Sequence, residues 1–387
     1  MASDLWERLQ SRAVQIHVAD HLRARIQSGE MLRVKLGLDP TAPDLHVGHL
    51  VVLDVLRAFQ DRGHTVVAII GDFTALIGDP SGRSDTRPVL TQEQVDANAK
   101  TYFEQIFKIL DPARTEIHGN SEWLAAMGAA EVLGLLGKQT LQAVLQRDDF
   151  SRRIKAGNPI GAHEILYPFN QGYDSVAVRA DLEIGGSDQL FNLMFGREVQ
   201  RGYGQAPQDV AVFPLLEGTD GVRKMSKSLD NSIGLMEAPD QVYGKTMSIP
   251  DPLTPTYLKL ISGLESESIA AALQSGPREA KAALARALVG RLWGGAEVAP
   301  AEEAFDARFR RREIRAEELA EHRPADPADL VGTLVELGWY PTRSQARRVV
   351  EQGGVSLDGV RAGLEAKLTE GTVLRAGKRN YVRIGVG

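Results

Sequence analysis

The chain has 387 residues, of which 43% are hydrophobic, with a formal net charge of −6 and no cysteine. At ~100–200 residues per domain, this length predicts two or three globular domains, each able to bury a core. The lack of cysteine excludes disulfides and thiol catalysis and fits a cytoplasmic protein. No apolar run reaches the ~20 residues of a membrane-spanning helix, and the N-terminal stretch lacks the apolar segment of a signal peptide.

Charge is distributed unevenly along this acidic chain. Residues 340–387 contain nine Lys or Arg side chains and only four acidic ones. A basic tail on an acidic body is the charge layout of an enzyme that carries a polyanion-binding appendage.

The first seventy residues predict a helix-rich start followed by a β-α-β unit. Residues 1–30 have helical periodicity that ends at Gly29, and "RVKLGLD" (33–39) predicts a buried strand. A helix is predicted over 46–63, with Asp44 as its N-cap and Gly63 as its C-cap. "TVVAII" (65–70) predicts a second buried strand. The short crossover between the two strands indicates a parallel sheet covered by helices.

The remainder alternates between helical segments and short strands. We expect mostly helix over 92–177, a strand, a turn and a helix between 181 and 201, and a strand over 210–216. A mobile loop is predicted over 217–232. An all-helical stretch is predicted over 238–320, with a charge-dense helix over 307–323. The linker is placed at 323–329, and a small α/β domain closes the chain.

Two histidines, His46 and His49, stand at the start of the predicted helix. They fit core packing, a metal site or a nucleotide site. Their i,i+3 spacing and the absence of an H-E-x-x-H motif argue against zinc. A helix start that directly follows a parallel strand favours phosphate, because free backbone N–H groups and the helix dipole attract anions there. Gly48 would let a ligand lie against the backbone.

The loop "KMSKS" (224–228) offers two cations, Lys224 and Lys227. By itself such a loop is compatible with plain solvation, but its lysines could close over a pyrophosphate as charge builds there. A His-x-Gly-His helix start followed by a Lys-Met-Ser-Lys-Ser loop, in this β-α-β frame, resembles the two signatures of class I aminoacyl-tRNA synthetases.

Further stretches resemble the bacterial tyrosyl-tRNA synthetases within that class: "GLDPTAPDLHVGHL", "ALIGDPSGR", "YPFNQGYD" and "GGSDQLFN". The tail over 340–359 resembles a small RNA-binding module that is shared with a small-subunit ribosomal protein. The resemblance implies a Rossmann-like parallel-sheet catalytic domain over 1–235, with a helical insertion over about 111–165. It also implies a helical anticodon-side domain over 236–322 and a basic RNA-binding domain over 323–387.

The resemblance also implies the site residues. Catalysis would fall to His46, His49, Lys224 and Lys227, and Arg83 is an additional candidate cation for pyrophosphate. ATP would contact Asp39, Thr41, His46, Gly48, His49, Gly186, Asp188, Lys224 and Lys227. Tyrosine would contact Lys35, Gly37, Asp39, Asp79, Tyr167, Gln171, Asp174 and Gln189. The tRNA would contact Arg343, Arg347, Arg348, Lys378 and Arg379. For Asp174 and Asp188 a purely structural role as helix caps is the alternative.

Lys35 departs from the resemblance, because many tyrosyl enzymes have a tyrosine at this position. On a strand, Lys35, Gly37 and Asp39 share one face, so we expect Lys35 to line the pocket and reach the phenol oxygen or its water shell. The alternative is a lysine that extends to solvent at the start of the strand.

The implied reaction joins L-tyrosine to ATP and then transfers the tyrosyl group to tRNA(Tyr). ATP would arrive with Mg²⁺, and we expect no protein-bound metal. A homodimer, formed through the insertion, and no membrane association are also expected. The competing hypotheses are a tryptophan-specific or other class I synthetase, a nucleotidyltransferase that uses no tRNA, and a non-enzymatic RNA-binding protein.

Overall fold

The structure is a computed structural model that describes residues 2–41, 43–80, 90–309, 319–377 and 380–385. It contains two compact units, Met1–Glu302 and Glu303–Gly387. The finer division at residues 235 and 322 stays a prediction. Arg83, the additional candidate cation for pyrophosphate, lies outside the described residues, and so do Lys378 and Arg379, which were predicted to contact the tRNA.

The first unit is built mainly from helices around one sheet. Its helices are α1 Ala2–Arg12, α2 Ala19–Ser28, α3 Leu50–Gln60, α4 Gln92–Ile106, α5 Ser121–Leu124, α6 Ala129–Leu136, α7 Leu141–Leu145, α8 Asp148–Ala156, α9 Tyr167–Ala177, α10 Leu190–Gly202, α11 Pro239–Ser248, α12 Thr254–Ile261, α13 Ser266–Gln274 and α14 Pro277–Trp293. Helix α15 (Val298–Phe309) follows. Over the described ranges, none of the helices has both the length and the apolar character needed to cross a membrane.

The sheet of this unit is largely parallel. Its strands are β1 Gln15–His17, β2 Arg33–Leu38, β3 Thr65–Ile70, β4 Thr115–Gly119, β5 Leu182–Gly186 and β6 Asp209–Phe213. They lie in the order β1-β6-β5-β2-β3-β4, and within this sheet β1 alone runs antiparallel to its neighbour. The predicted α/β class with a parallel sheet is confirmed. The chain adds β3 and β4 on one side of β2 and then β5 and β6 on the other, so the strand order reverses between β2 and β5, where such sheets bind ligands.

The β-α-β unit forms because its apolar residues are continuous. The last five residues of β3 are buried, and so is nearly every residue of α3, as expected for elements that are covered on several sides. The helix begins differently from the prediction. A single 3₁₀ turn, Val47–His49, precedes α3, and His46 rather than Asp44 occupies its N-cap. The prediction of Asp44 as the N-cap is therefore wrong. The C-cap of α3 is Asp61, two residues before the predicted Gly63.

Three short strands were absent from the sequence-based prediction. β1 interrupts the predicted helical start, although α2 does end at Gly29 with φ 77°. β4 lies inside the stretch predicted to be mostly helical. The third strand, β7 Glu321–His322, replaces the end of the helix predicted over 307–323. Strands of two to five residues carry too little periodicity to be recognised, and each forms through a partner distant in the chain.

The second unit is a small α/β domain, as expected. It contains α16 Leu330–Glu336 and α17 Arg343–Glu351, with the strands β7, β8 Val355–Leu357, β9 Val360–Arg361, β10 Val373–Ala376 and β11 Asn380–Ile384. The sheet order is β7-β11-β10-β8-β9. Leu334, Val350, Leu374 and Val382 pack in its core. Arg343, Arg347 and Arg348 lie exposed on α17.

Candidate active site

A cleft of about 360 Å³ opens at the carboxyl ends of β2 and β5. Its walls come from the segments that follow β2, β3 and β5, from α9 and from the lysine-serine loop. The predicted ATP and tyrosine residues that line it are Gly37, Asp39, Thr41, His46, Gly48, His49, Asp79, Tyr167, Gln171, Asp174, Gly186, Asp188, Gln189 and Lys224. The fold therefore brings together predicted residues that lie nearly 190 positions apart, and their roles stay predictions.

The two histidines form one compact group at the start of α3. Their ring centroids are 4.2 Å apart, and the backbone N–H of His46 donates to Nδ1 of His49 over 3.2 Å. Burial, together with the nearby His49, Lys227 and Lys224, lowers the pKa of His46 to about 2, and burial lowers the pKa of His49 to about 4. Both rings are therefore neutral at pH 7 and can offer N–H donors to a phosphate without carrying a charge.

Gly48 provides space for the imidazole of His46. A Cβ at this position would lie 2.9 Å from two atoms of the His46 imidazole. That ring has a buried Nδ1 without a hydrogen-bond partner among the described residues. The glycine thus leaves space for His46 to fold against the backbone, a reason that the sequence pattern did not show.

Each lysine of the loop over 217–232 pairs with a carboxylate. Lys224 Nζ is 3.3 Å from Asp188 Oδ2, and Lys227 pairs with Asp44. The loop is anchored between them, because Met225 is buried and its N–H donates to the carbonyl of Leu216 over 2.8 Å. Asp44 was interpreted from the sequence as a cap, so its position as the partner of Lys227 was missed. The mobility of the loop stays a prediction.

One side of the cleft is rich in hydrogen-bond acceptors. Tyr167 donates its hydroxyl to Asp39 over 2.9 Å, and Gln189 donates its amide to Asp79 over 2.7 Å. Gln171 donates its NH₂ to Glu183 over 3.3 Å, which leaves its buried Oε1 with no partner in the described part of the chain. Two carboxylates and an unsatisfied amide oxygen form a site suited to an ammonium group.

Asp174 forms the buried end of this pocket. Its carboxylate accepts from Trp123 Nε1 over 2.8 Å and from Asn120 Nδ2 over 3.3 Å. Burial raises the pKa of Asp174 to about 7, against the opposing effects of Lys35, Trp123 and Asn120. The cap alternative for Asp174 is wrong, because the side chain faces these donors from inside α9. For Asp188, the carboxylate accepts from Lys224 Nζ over 3.3 Å, and Gly186 rather than Asp188 is the N-cap of the 3₁₀ turn Ser187–Gln189 that precedes α10. Trp123 and Asn120 follow β4 and were missed.

Lys35 does not line the cleft, so the prediction that it lines the pocket is wrong, and so is the alternative that it extends to solvent. The side chain is fully buried beneath the site. Its ammonium lies 2.9 Å from Glu183 Oε1 and donates to Ser175 Oγ and to the carbonyl of Gln171 over 2.7 and 3.0 Å. Lys35 and Glu183 are direct neighbours in the β2–β5 register. The pairing of two strands far apart in the sequence therefore decides where this lysine points.

Within the described ranges, no group of three or more His, Asp or Glu side chains is arranged to hold a metal ion. The carboxylates of the cleft are instead engaged by protein donors.

Comparison with known proteins places this geometry in a family. Residues 27–310 match the family model for "tRNA synthetases class I (W and Y)", and residues 330–374 match the S4 domain. The chain is 48% identical over 372 residues to the tyrosine–tRNA ligase of Moorella thermoacetica, covering 94% of this chain and 90% of that one. It is also 48% identical over 389 residues to the tyrosine–tRNA ligase of Thermotoga maritima, covering 98% and 96%.

Solved structures share the fold. A truncated mitochondrial tyrosyl-tRNA synthetase from Aspergillus nidulans superimposes with a TM-score of 0.68 at 24% identity, covering 79% of this chain and 94% of that one. A tryptophanyl-tRNA synthetase from Plasmodium falciparum gives 0.59 at 16% identity, covering 78% and 88%. The fold therefore does not distinguish tyrosine from tryptophan, and the close sequence relatives do.

Proposed function

Because this chain belongs to the tyrosine–tRNA ligases of the class I aminoacyl-tRNA synthetases, we propose that its cleft activates L-tyrosine with ATP and then transfers it to tRNA(Tyr). The tyrosine carboxylate attacks the α-phosphorus of ATP, which forms tyrosyl-adenylate and releases pyrophosphate. The terminal ribose hydroxyl of the tRNA then attacks the acyl carbon and releases AMP. Neither step needs a covalent enzyme intermediate, so the chain contributes positioning and electrostatic stabilisation.

The nucleotide half of the cleft provides donors on two sides. Neutral His46 and His49 would donate N–H groups to the phosphates, and Lys224 and Lys227 would exchange their carboxylate partners for pyrophosphate as its charge develops. Mg²⁺ would accompany ATP and neutralise its phosphates. Lys227 pairs with Asp44 in the ligand-free chain, and neither residue lines the cleft, so Lys227 would have to leave this carboxylate to reach the nucleotide.

The amino-acid half is complementary to a zwitterion with a phenol at its far end. Asp79, Tyr167 and the free Oε1 of Gln171 would receive the α-ammonium, and Asp174 would accept the phenol hydroxyl. The observation that supports tyrosine most directly is Asp174, a buried acceptor held by Trp123 and Asn120 at the closed end. A substrate without a hydroxyl, such as phenylalanine, would leave the Asp174 carboxylate without a hydrogen bond from the ligand. Tyrosyl-tRNA synthetases are the established example of rejecting phenylalanine in this way.

Amino-acid-dependent ATP–pyrophosphate exchange tests this function. Tyrosine should support exchange, whereas phenylalanine and tryptophan should not at equal concentration. Exchange with tryptophan alone would favour the competing synthetase. Exchange without any subsequent charging of tRNA(Tyr) would favour a nucleotidyltransferase, and no exchange with any amino acid would leave a binding protein.

The raised pKa of Asp174 predicts a pH-dependent affinity for tyrosine. As pH rises through about 7, the carboxyl ionises and becomes a stronger acceptor, so the KM for tyrosine should fall about five- to tenfold between pH 6 and pH 8.5. Asp174→Asn should remove this dependence. In the ligand-free protein, the raised pKa of Asp174 also affects stability. It stabilises the folded state fully below about pH 4, and this stabilisation is lost as pH rises through 7. A KM profile that is equally steep in the asparagine variant would contradict the assignment.

We propose that the second unit binds the tRNA through α17. Arg343, Arg347 and Arg348 are all exposed on this helix. Arg343 donates to Asp329 through bonds of 2.6 and 3.0 Å, and Arg347 Nε lies 3.5 Å from Glu351 Oε1. The double variant Arg347→Glu/Arg348→Glu should lower kcat/KM for tRNA by about tenfold or more, because two phosphate contacts are replaced by repulsion. Tyrosine-dependent exchange should be unchanged. Arg323→Glu, which changes an exposed charge of the same unit, is the matched control. Equal effects of both variants on charging would indicate a general charge effect.

We propose the helical insertion as a homodimer contact. Three apolar side chains on it are largely exposed, Leu133 at 69%, Leu141 at 55% and Ile154 at 53%. Such residues at separate helices of one insertion are more typical of an interface than of a solvated surface. A cytoplasmic location stays a prediction.

A further inference from the structure

A buried polar chain connects the insertion to the tyrosine half of the cleft. It begins at Arg147, between α7 and α8, whose guanidinium donates to Asn192 Oδ1 over 2.8 Å. Asn192 Nδ2 donates to Gln189 Oε1 over 3.0 Å, and Gln189 Nε2 donates to Asp79 Oδ2 over 2.7 Å. Arg147 and Asn192 are buried, so water cannot readily replace these bonds.

The guanidinium at the start of this chain is held in place on several sides. Asp149 accepts from Arg147 Nε and from one terminal nitrogen over 3.0 and 2.9 Å. The rings of Phe150 and Phe191 lie 5.0 and 5.2 Å from its central carbon. The same guanidinium is also 3.9 Å from Asp79 Oδ1. Arg147 is therefore a fixed group, with the bidentate geometry that arginine provides and lysine does not.

The direction of the chain follows from the chemistry of arginine. A guanidinium has only donors, so Asn192 must turn its oxygen toward Arg147. Its NH₂ then faces Gln189, which must present its oxygen in return. The NH₂ of Gln189 is thereby directed at Asp79. A single buried donor thus determines the orientation of two consecutive amides and the hydrogen bond received by the carboxylate in the ammonium site.

We propose that Arg147 is a positioning residue for tyrosine binding, which acts through Asn192 and Gln189 to orient Asp79 for the α-ammonium of the substrate. This inference rests on the proposed function of the cleft. It adds to the site a residue of the insertion that does not line the cleft, and it makes the affinity for tyrosine, but not for ATP, depend on this insertion.

The first test compares Arg147→Lys with Arg153→Lys. Arg153 is an equally buried arginine on α8, paired with Glu164 at 2.6 Å and lying 6.0 Å from Phe150, outside the chain. A lysine at 147 can reach Asp149 or Asn192 but not both, so the KM for tyrosine in pyrophosphate exchange should rise about five- to tenfold. The KM for ATP should be unchanged. Arg153→Lys should lower thermal stability to a similar degree without changing either KM.

The second test is Asn192→Asp, which keeps the shape of the side chain. A carboxylate at 192 still accepts from Arg147 but cannot donate to Gln189, so the Gln189 amide must flip and turn its oxygen toward Asp79. The KM for tyrosine should then rise about tenfold at pH 8 with unchanged KM for ATP. If both variants keep the tyrosine KM within twofold of the parent, the proposal is wrong and Arg147 is purely structural. A parent protein without tyrosine-dependent exchange would instead refute the proposed function.

Discussion

His49→Ala is expected to slow the formation of tyrosyl-adenylate by about 10²–10³-fold, the usual consequence of removing one preorganised donor from a developing oxyanion. The KM for tyrosine should change little, because His49 lies in the nucleotide half of the cleft. The low pKa of about 4 means that the ring acts as a neutral donor. The loss should therefore be nearly constant between pH 6 and pH 8.5.

Two further substitutions identify the nitrogen that acts. Nδ1 of His49 lies against the backbone of His46, which leaves Nε2 as the ring nitrogen available to a nucleotide. Glutamine places its amide near the position of Nε2, whereas asparagine places its amide near Nδ1. His49→Gln should thus retain much of the rate, and His49→Asn should be as slow as alanine. Single-turnover measurement of adenylate formation separates these cases. A large rise in tyrosine KM with a normal rate would reverse the assignment of His49.

Lys227→Ala should slow the same step by a similar factor. Its ammonium is held by Asp44 in the ligand-free state and would stabilise pyrophosphate only as charge develops there. Rate and affinity measured in parallel would distinguish this role from simple ATP binding, which would raise the KM for ATP at constant rate.

Replacing Lys35 is expected to have the largest effect on stability, about 3–5 kcal/mol of unfolding free energy, since Lys35→Met leaves the Glu183 carboxylate buried without its counter-ion. Both side chains are fully buried, and Glu183 also accepts from Ser175 over 3.2 Å, from Gln171 over 3.3 Å and from Gln208. The remaining donors are neutral and cannot compensate a whole charge at this depth.

The double variant Lys35→Met/Glu183→Gln tests this explanation. It removes both charges and keeps an amide oxygen for Gln208, so it should recover most of the lost stability. Arg57→Met is the matched surface control, because Arg57 and Asp61 form an exposed i,i+4 pair at 2.9 Å, for which less than about 0.5 kcal/mol is expected. Denaturant unfolding followed by tryptophan fluorescence measures all three. A cost for Lys35→Met as small as that of the surface control would contradict the buried-pair interpretation.

The Lys35 result also bears on tyrosine recognition. The Lys35 ammonium lowers the pKa of Asp174, although burial prevails and raises it overall. Without Lys35, the pH at which tyrosine binding strengthens should move upward from about 7. We therefore expect Lys35 to influence the binding of the phenol through charge at a distance and not through contact.

Local patterns were sufficient for much of this protein. The apolar runs of β2, α3 and β3 determine the β-α-β unit, since burial of continuous apolar segments needs no knowledge of distant partners. Short motifs placed His46, Gly48 and His49 at a helix start and Tyr167, Gln171 and Asp174 on one helical face, because a helix puts residues three and four apart side by side. The resemblance of these stretches to known sequences then supplied the reaction.

Only the tertiary structure determines which side chain each of these residues pairs with. Asp44 pairs with Lys227, Glu183 with Lys35, Trp123 with Asp174, and Asn192 with Arg147. Each pair joins elements that are far apart in the chain, and its contact exists only once the strand order and register are formed. The sequence by itself thus predicted the site residues, through local spacing and through the resemblance to known sequences. Their ionisation and orientation depend on burial and on distant partners, which only the folded chain provides.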